Sequence, residues 1–308
     1  MIKITNLLRK KPKIALVLGG GGARGIAHLG VLKFLEENGY DFDFIVGTSA
    51  GAVFGALYLK TLDIKTTIDE YLTIMEEDKN KSDVFKIDNE DKSSLLSNLK
   101  EKYYTAKALF KKGIFESTNV ENSYKKLFEN CDFQDLKKKI YIVSTDLISG
   151  QDIVFSKGAL LPALMATSAL PGVFPPVEYK GFYLIDGGPT QKLPSLIAKA
   201  LGADKIFAID VGSKFKRILN HPEGVKIILR SEEIVSYRLH KLNRNFADIL
   251  LEPDVKKYKW YDFNNFNQLF DAGYKEAELK RDDIKRFFLN YKKASKNSFE
   301  PIKDFIII

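Results

Sequence analysis

The stretch Ile45-Val46-Gly47-Thr48-Ser49-Ala50-Gly51 constrains this chain more than any other. Phe42, Phe44, Ile45 and Val46 form an apolar run that reads as a buried strand. Ala50 to Leu59 then reads as a helix of small and apolar residues. A serine at such a junction sits on a sharp turn, with its hydroxyl exposed beside a helix N-terminus. Gly47 and Gly51 suit the turn because it leaves no room for a Cβ. Ser49 is therefore the candidate nucleophile. An ordinary βα turn could carry the same glycines, so the neighbouring segments have to decide.

One crossover upstream, Lys13 to Leu18 is a nearly continuous apolar run, the mark of a strand buried on both faces. Gly19 to Gly25 follows, and then a helical pattern with Ile26, Leu29, Leu32 and Leu35 inward, closing near Asn38-Gly39. Strand, helix, strand, helix predicts a parallel sheet with right-handed crossovers. First and second strands are neighbours in most such sheets, which brings the glycine loop and Ser49 to one carboxyl edge. Acyl transfer needs donors aimed at a developing oxyanion. The amides around Gly20, Gly21, Gly22, Arg24 and Gly25 are the candidates. The same loop satisfies G-x-G-x-x-G, but a dinucleotide site wants an acid at the end of the second strand. Asp41 and Asp43 precede that strand here, so nucleotide binding is disfavoured.

A nucleophile also needs a base. His28 falls inside the first helix, His221 in a polar loop and His240 on a basic helix, where solvent-facing positions are expected for the last two. An α/β-hydrolase would also place its serine after several strands, whereas Ser49 follows only the second. A histidine triad is disfavoured on both counts. Asp186 remains, closing the short strand Phe182 to Ile185, with Gly187-Gly188 allowing a tight turn. An ordinary aspartate is a weak base at neutral pH, so its site must orient it or raise its pKa by desolvation.

The rest of the chain bounds the reading. A length of 308 residues, 45% hydrophobic, can bury a large core. The net charge of +8 comes from scattered lysines with short clusters at 9–11, 111–112, 137–139 and 292–293. That pattern suits a solvated surface, and the charge alone leaves nucleic acid, an anionic membrane surface or neither open. Cys131 is the lone cysteine, so no intrachain disulfide can form. Neither a signal peptide nor a membrane span is recognised, and a cytoplasmic protein is expected. The expected layout is a basic arm at 1–12, one catalytic domain at 13–291 with a mobile insertion or lid at 78–112, and a tail at 292–308. Phe266 to Tyr291 is expected as one long amphipathic helix, and Phe305 to Ile308 as an edge strand or docking hook.

Gly20 to Gly25, Gly47 to Gly51 and Asp186-Gly187-Gly188, in that order, resemble the signature blocks of the patatin-like phospholipase family. Ala166 to Val177 resembles that family's further block ahead of the aspartate. The resemblance implies a three-layer α/β/α fold with a mainly parallel central sheet, and a Ser49–Asp186 dyad without histidine. It implies an oxyanion hole chiefly around Gly21 and Gly22, and an acyl-enzyme mechanism on phospholipid or lysophospholipid esters. No metal, cofactor or nucleic acid is implied, and the resemblance makes peripheral contact of the basic clusters with an anionic membrane the partner expectation. A carboxylesterase or acyltransferase on the same dyad, or a non-catalytic lipid-binding or regulatory protein, are the alternatives.

Overall fold

A computed structural model describes residues 11–78, 117–212, 215, 224–289 and 304–308. The expectations for 1–10, for His221 and for the insertion beyond residue 78 lie outside the described residues.

Strand β1 (Ile14–Leu18) leads through the glycine loop into α1 (Ile26–Glu37), and β2 (Phe44–Thr48) leads through Ser49 into α2 (Ala50–Thr61) and α3 (Ile64–Asp78). After α4 (Thr118–Phe128) come β3 (Lys139–Asp146), β4 (Asp152–Phe155) and α5 (Leu160–Thr167). Then follow β5 (Val177–Tyr179), β6 (Phe182–Asp186), α6 (Gly188–Gln191), α7 (Ser195–Ala200) and β7 (Lys205–Ile209). The chain closes with α8 (Gly224–Arg244), β8 (Ile249–Leu251), α9 (Phe266–Leu279), α10 (Arg281–Leu289) and β9 (Phe305–Ile307).

The strands form one mixed sheet in the order β5-β6-β3-β2-β1-β7-β8, with β4 between β3 and β9. From β3 to β8 the pairs are parallel, and β3, β4, β5 and β6 pair antiparallel. Alternation along the strands feeds two cores. Ile14, Leu16, Leu18 and Ile45 face α1, α2 and α9, while Ala15, Val17, Phe44 and Val46 face α7. Helices thus cover both faces, the three-layer α/β/α architecture expected.

Two local expectations need correction. The long C-terminal helix is two, broken at Lys280, whose Nζ reaches the Leu250 carbonyl at 2.8 Å. Asp282 and Asp283 then restart a helix by favouring its positive N-terminus. His240, expected to face solvent, is only 6% exposed. The C-terminal segment is an edge strand, β9 pairing parallel with β4 through Ile153↔Ile306.

Candidate active site

The register along β3 builds the site. Ile142 and Val143 pair with β2 on one side and β4 on the other, and Ser144 and Thr145 pair with β6 and β4. β2 and β6 therefore share one edge of β3. They meet end to end there, Thr48 opposite Val143 and Asp186 opposite Ser144. Because β2 is parallel to β3 and β6 antiparallel, the two carboxyl ends converge. Ser49 and Asp186 are delivered to adjacent rungs, close enough for the Ser49 hydroxyl to act on the Asp186 carboxyl.

Ser49 adopts φ 53° and ψ −129°, a conformation that costs a non-glycine residue about 1–3 kcal/mol. Its surroundings hold it there. Its N–H donates to Thr167 Oγ1 at 2.8 Å, and that hydroxyl donates to the Val143 carbonyl at 2.6 Å. Its carbonyl takes the first bonds of α2, from Ala52 and Val53. A Cβ on Gly51 would stand 2.2 Å from the Leu18 carbonyl, and one on Gly47 2.6 Å from Ala52 Cα. Those glycines let α2 start directly against the end of β1.

Asp186 is 3% exposed. Burial pushes its carboxyl up to about 6, against the pull of the Ser49 hydroxyl, the Gly188 N–H and the Lys192 ammonium. Gly188 N donates to its Oδ1 at 2.7 Å, and its own N–H donates to the Ala169 carbonyl at 3.0 Å. Gly187 must be a glycine because a Cβ would meet the Val143 carbonyl at 2.7 Å.

The glycine loop lies across this pair. A Cβ on Gly20 would touch Ser49 Cβ at 3.2 Å. Gly19 N–H donates to Ile209 O, Gly20 N–H to Lys192 O and Ala23 N–H to Trp260 O. Gly20 therefore supplies clearance beside Ser49, with its N–H engaged by the Lys192 carbonyl. The N–H groups of Gly21 and Gly22 have no protein acceptor among the described residues. Gly22 sits at φ +59° with the Trp260 carbonyl 2.2 Å from where a Cβ would be. Arg24, 8% exposed, turns Nε back to the Gly21 carbonyl at 3.2 Å, and Gly25 lies against Ala50 and Phe54.

Both described histidines are engaged elsewhere. His28 is fully buried with Nε2 2.8 Å from Gly19 O, and burial pushes its ring down to about 4, which leaves it neutral and donating. His240 Nε2 meets Asp210 Oδ2 at 2.8 Å, with Arg244 Nη1 at 3.4 Å from the same oxygen. Burial alone would raise Asp210, but His240, the Gly212 N–H and Arg244 hold it below the usual carboxylate range. Lys192 lies between Asp210 and Asp186, its ammonium pushed down by burial and by Arg24. Asp43, a candidate ribose ligand on a dinucleotide reading, instead accepts the Ile14 N–H at 2.6 Å. Among the described residues no group of three or more His, Cys, Asp or Glu is placed to hold a metal, and no helix is long and apolar enough to cross a membrane.

A strained serine between glycines stands beside a buried aspartate and a glycine loop, and the patatin-like phospholipase model matches residues 16–199. The chain belongs to that family. It is 30% identical over 285 residues to lysophospholipase NTE1 of Candida glabrata, covering 84% of this chain and 15% of that protein. It is likewise 30% identical over 291 residues to mouse patatin-like phospholipase domain-containing protein 6, covering 85% of this chain and 20% of that protein. The chain thus spans a fifth or less of these relatives' length. Among solved structures, human GIVD cytosolic phospholipase A2 in complex with methyl gamma-linolenyl fluorophosphonate gives a TM-score of 0.45 at 13% identity, over 92% of this chain and 60% of that one. VipD from Legionella pneumophila gives 0.42 at 14% identity, over 86% and 67%.

Proposed function

We propose that this chain is a lipid acyl hydrolase cleaving lysophospholipid or phospholipid esters through Ser49 and Asp186, with residues 13–291 as its catalytic domain. The observation that carries the reading is a strained Ser49 set by the strand register beside a buried Asp186 whose carboxyl is pushed up to about 6. That value brings the carboxylate much nearer the range of a working base than an ordinary aspartate.

Asp186 takes the Ser49 proton as Oγ attacks the ester carbonyl. The oxyanion of the tetrahedral intermediate accepts from the Gly21 and Gly22 N–H groups. As the intermediate collapses, Asp186 returns the proton to the departing glycerol oxygen, leaving an acyl-Ser49 ester. Water, deprotonated by Asp186, attacks that ester, and the fatty acid is released as Asp186 returns the proton to the departing Ser49 Oγ. An apolar depression lined by Val120, Met165, Ala169, Phe174 and Val177 adjoins Asp186 through the Ala169 carbonyl and offers the start of an acyl channel. No cofactor enters these steps.

The test is turnover of lysophosphatidylcholine followed by mass spectrometry, beside labelling by a fluorophosphonate probe. Wild type labels and releases fatty acid, Ser49→Ala does neither, and Asp186→Asn loses turnover. His240→Ala and His221→Ala retain it. Equal damage from either histidine change and from Ser49→Ala would overturn the dyad in favour of a triad.

A further inference from the structure

Helix α8 is turned inside out. Its polar residues Ser236, His240 and Asn243 face the protein, bonding the Gly188 carbonyl at 3.4 Å, Asp210 at 2.8 Å and the Thr190 carbonyl at 3.4 Å. Its apolar residues face out. Ile228 is 69% exposed, Val235 58%, Leu239 36% and Leu242 59%, and their spacing of seven, four and three residues aligns them in one stripe. Ile227 and Leu229, also exposed, widen the apolar surface of the first turns. A contiguous apolar face of this kind marks a docking surface.

Its position in the fold says what docks. α8 carries the chain from the carboxyl end of β7 back to β8, which runs parallel to β7, so the N-terminal half of the helix lies at the carboxyl edge where Ser49 opens. Ser236 touches Gly188, two residues beyond Asp186. Ile228 is eight residues before it, about 12 Å farther along the axis at 1.5 Å per residue, and projects past that edge. The β3–β4 turn reaches the same edge, since β3 passes the Asp186 rung at Ser144, and it exposes Leu147 and Ile148, the latter at 73%.

We infer that this edge, α8 with the Leu147-Ile148 turn, seats the protein on an anionic lipid surface with the Ser49 opening facing the bilayer. Charge decides the occupant. On α8, Arg230 pairs with Glu233 and Arg244 with Asp210 and Glu252. The helix also carries Lys226, Arg238 and Lys241 against Glu232, and helical phase sets Arg238 and Lys241 along one side of the apolar stripe. A second copy docked through a two-fold axis would bring those cationic flanks against one another. A lipid headgroup layer neutralises them while the acyl region accepts the stripe. The inference deepens the proposed function and rests on it for the meaning of the orientation, but the binding itself can be measured without turnover.

The experiment uses the full chain carrying Ser49→Ala, co-sedimented with vesicles of phosphatidylcholine alone and of phosphatidylcholine with phosphatidylglycerol. Anionic vesicles are expected to bind at least about tenfold more tightly than neutral ones, with added salt weakening the difference. Ile228→Asp with Val235→Asp, and separately Ile148→Asp, abolish sedimentation, while Leu289→Asp, an exposed apolar position on α10, does not. In the Ser49-intact background the same variants keep hydrolysis of a water-soluble short-chain ester, which reports that they fold. Unchanged sedimentation of the α8 variant overturns the inference. So does light scattering that finds wild type dimeric, the α8 variant monomeric and vesicle binding equal in both. Loss of short-chain hydrolysis in Ser49-intact wild type, with vesicle binding retained, strikes the catalytic reading alone.

Discussion

Asp186 is held at a cost that its pH dependence exposes. Its carboxyl is pushed up to about 6 in the fold, against an ordinary value of 3.8. The folded protein therefore binds a proton that the unfolded chain has already lost between those two values. For such a group the penalty is absent below about pH 4, grows as pH rises, and is complete above the folded pKa. Replacing the carboxylate by the neutral, similarly shaped Asn removes the penalty. Asp186→Asn is expected to raise stability by up to about 2–3 kcal/mol at pH 8 and by nothing at pH 4, read from denaturant midpoints at both. The kcat/KM of wild type on a soluble ester should climb through pH 6 as the base form appears. Stabilisation equal at both pH values would mean that desolvation of the carboxylate is not what the aspartate endures.

At this scale Ser49, Asp186 and the glycine blocks were legible because each is a short local pattern whose chemistry demands those residue types. Thr167 was not. Its hydroxyl fixes the Ser49 backbone from 118 residues away, through a backbone N–H and a backbone carbonyl that leave no trace in residue identity. The same holds for the Trp260 carbonyl and Lys192 carbonyl that brace the glycine loop. The Lys192 carbonyl engages the Gly20 N–H, a contact that residue identity alone does not announce.

Between elements, the packing of α1 on α9 is the contact on which the loop depends. A Cβ on Gly273 would lie 1.9 Å from the Ala27 carbonyl, and one on Gly30 2.0 Å from the Phe270 carbonyl. The two helices cross backbone to backbone at those glycines. His28, next to Ala27, reaches from α1 to hold the Gly19 carbonyl. Gly273→Ala is therefore expected to cost about 2–3 kcal/mol and to lower kcat on a soluble ester, because parting the helices displaces the loop. The checks are the urea midpoint at unchanged slope and the kcat itself. A variant as stable and active as wild type would show that the helices can part freely. Sequence patterning placed α1 and its inward leucines correctly. It missed the break at Lys280, where neither glycine nor proline marks the change, and it misplaced His240. A basic helix with polar residues normally turns them to water. α8 turns them inward, onto Asp210 and the Asp186–Gly188 turn, and no single-helix pattern distinguishes the two orientations.

Across the whole molecule, the C-terminal residues close an edge that the active site needs. Without β9, the strand β4 would present free N–H and carbonyl groups over a fully buried segment, a template for pairing with another chain. Ile308 adds bonds in both directions, its N–H to Val154 and its carbonyl accepting from Ser156 N. Behind that edge, Asp152 accepts from Thr190 Oγ1 at 2.6 Å and from Gln191 Nε2 at 2.8 Å, and the Gln191 carbonyl accepts from Thr48 Oγ1 at 2.7 Å. This chain of bonds ties β4 to the turn after Asp186 and to the residue before Ser49. Deleting residues 305–308 should therefore lower the melting temperature and promote association through β4. It should also reduce kcat on a soluble ester more than it raises KM, because the bonds from Asp152 that position the Ser49 and Asp186 turns are loosened. Circular dichroism melts, light scattering and steady-state kinetics on a soluble ester would check the three together. Full activity in a monomeric truncated chain would show that Asp152 holds the turn without help from β9.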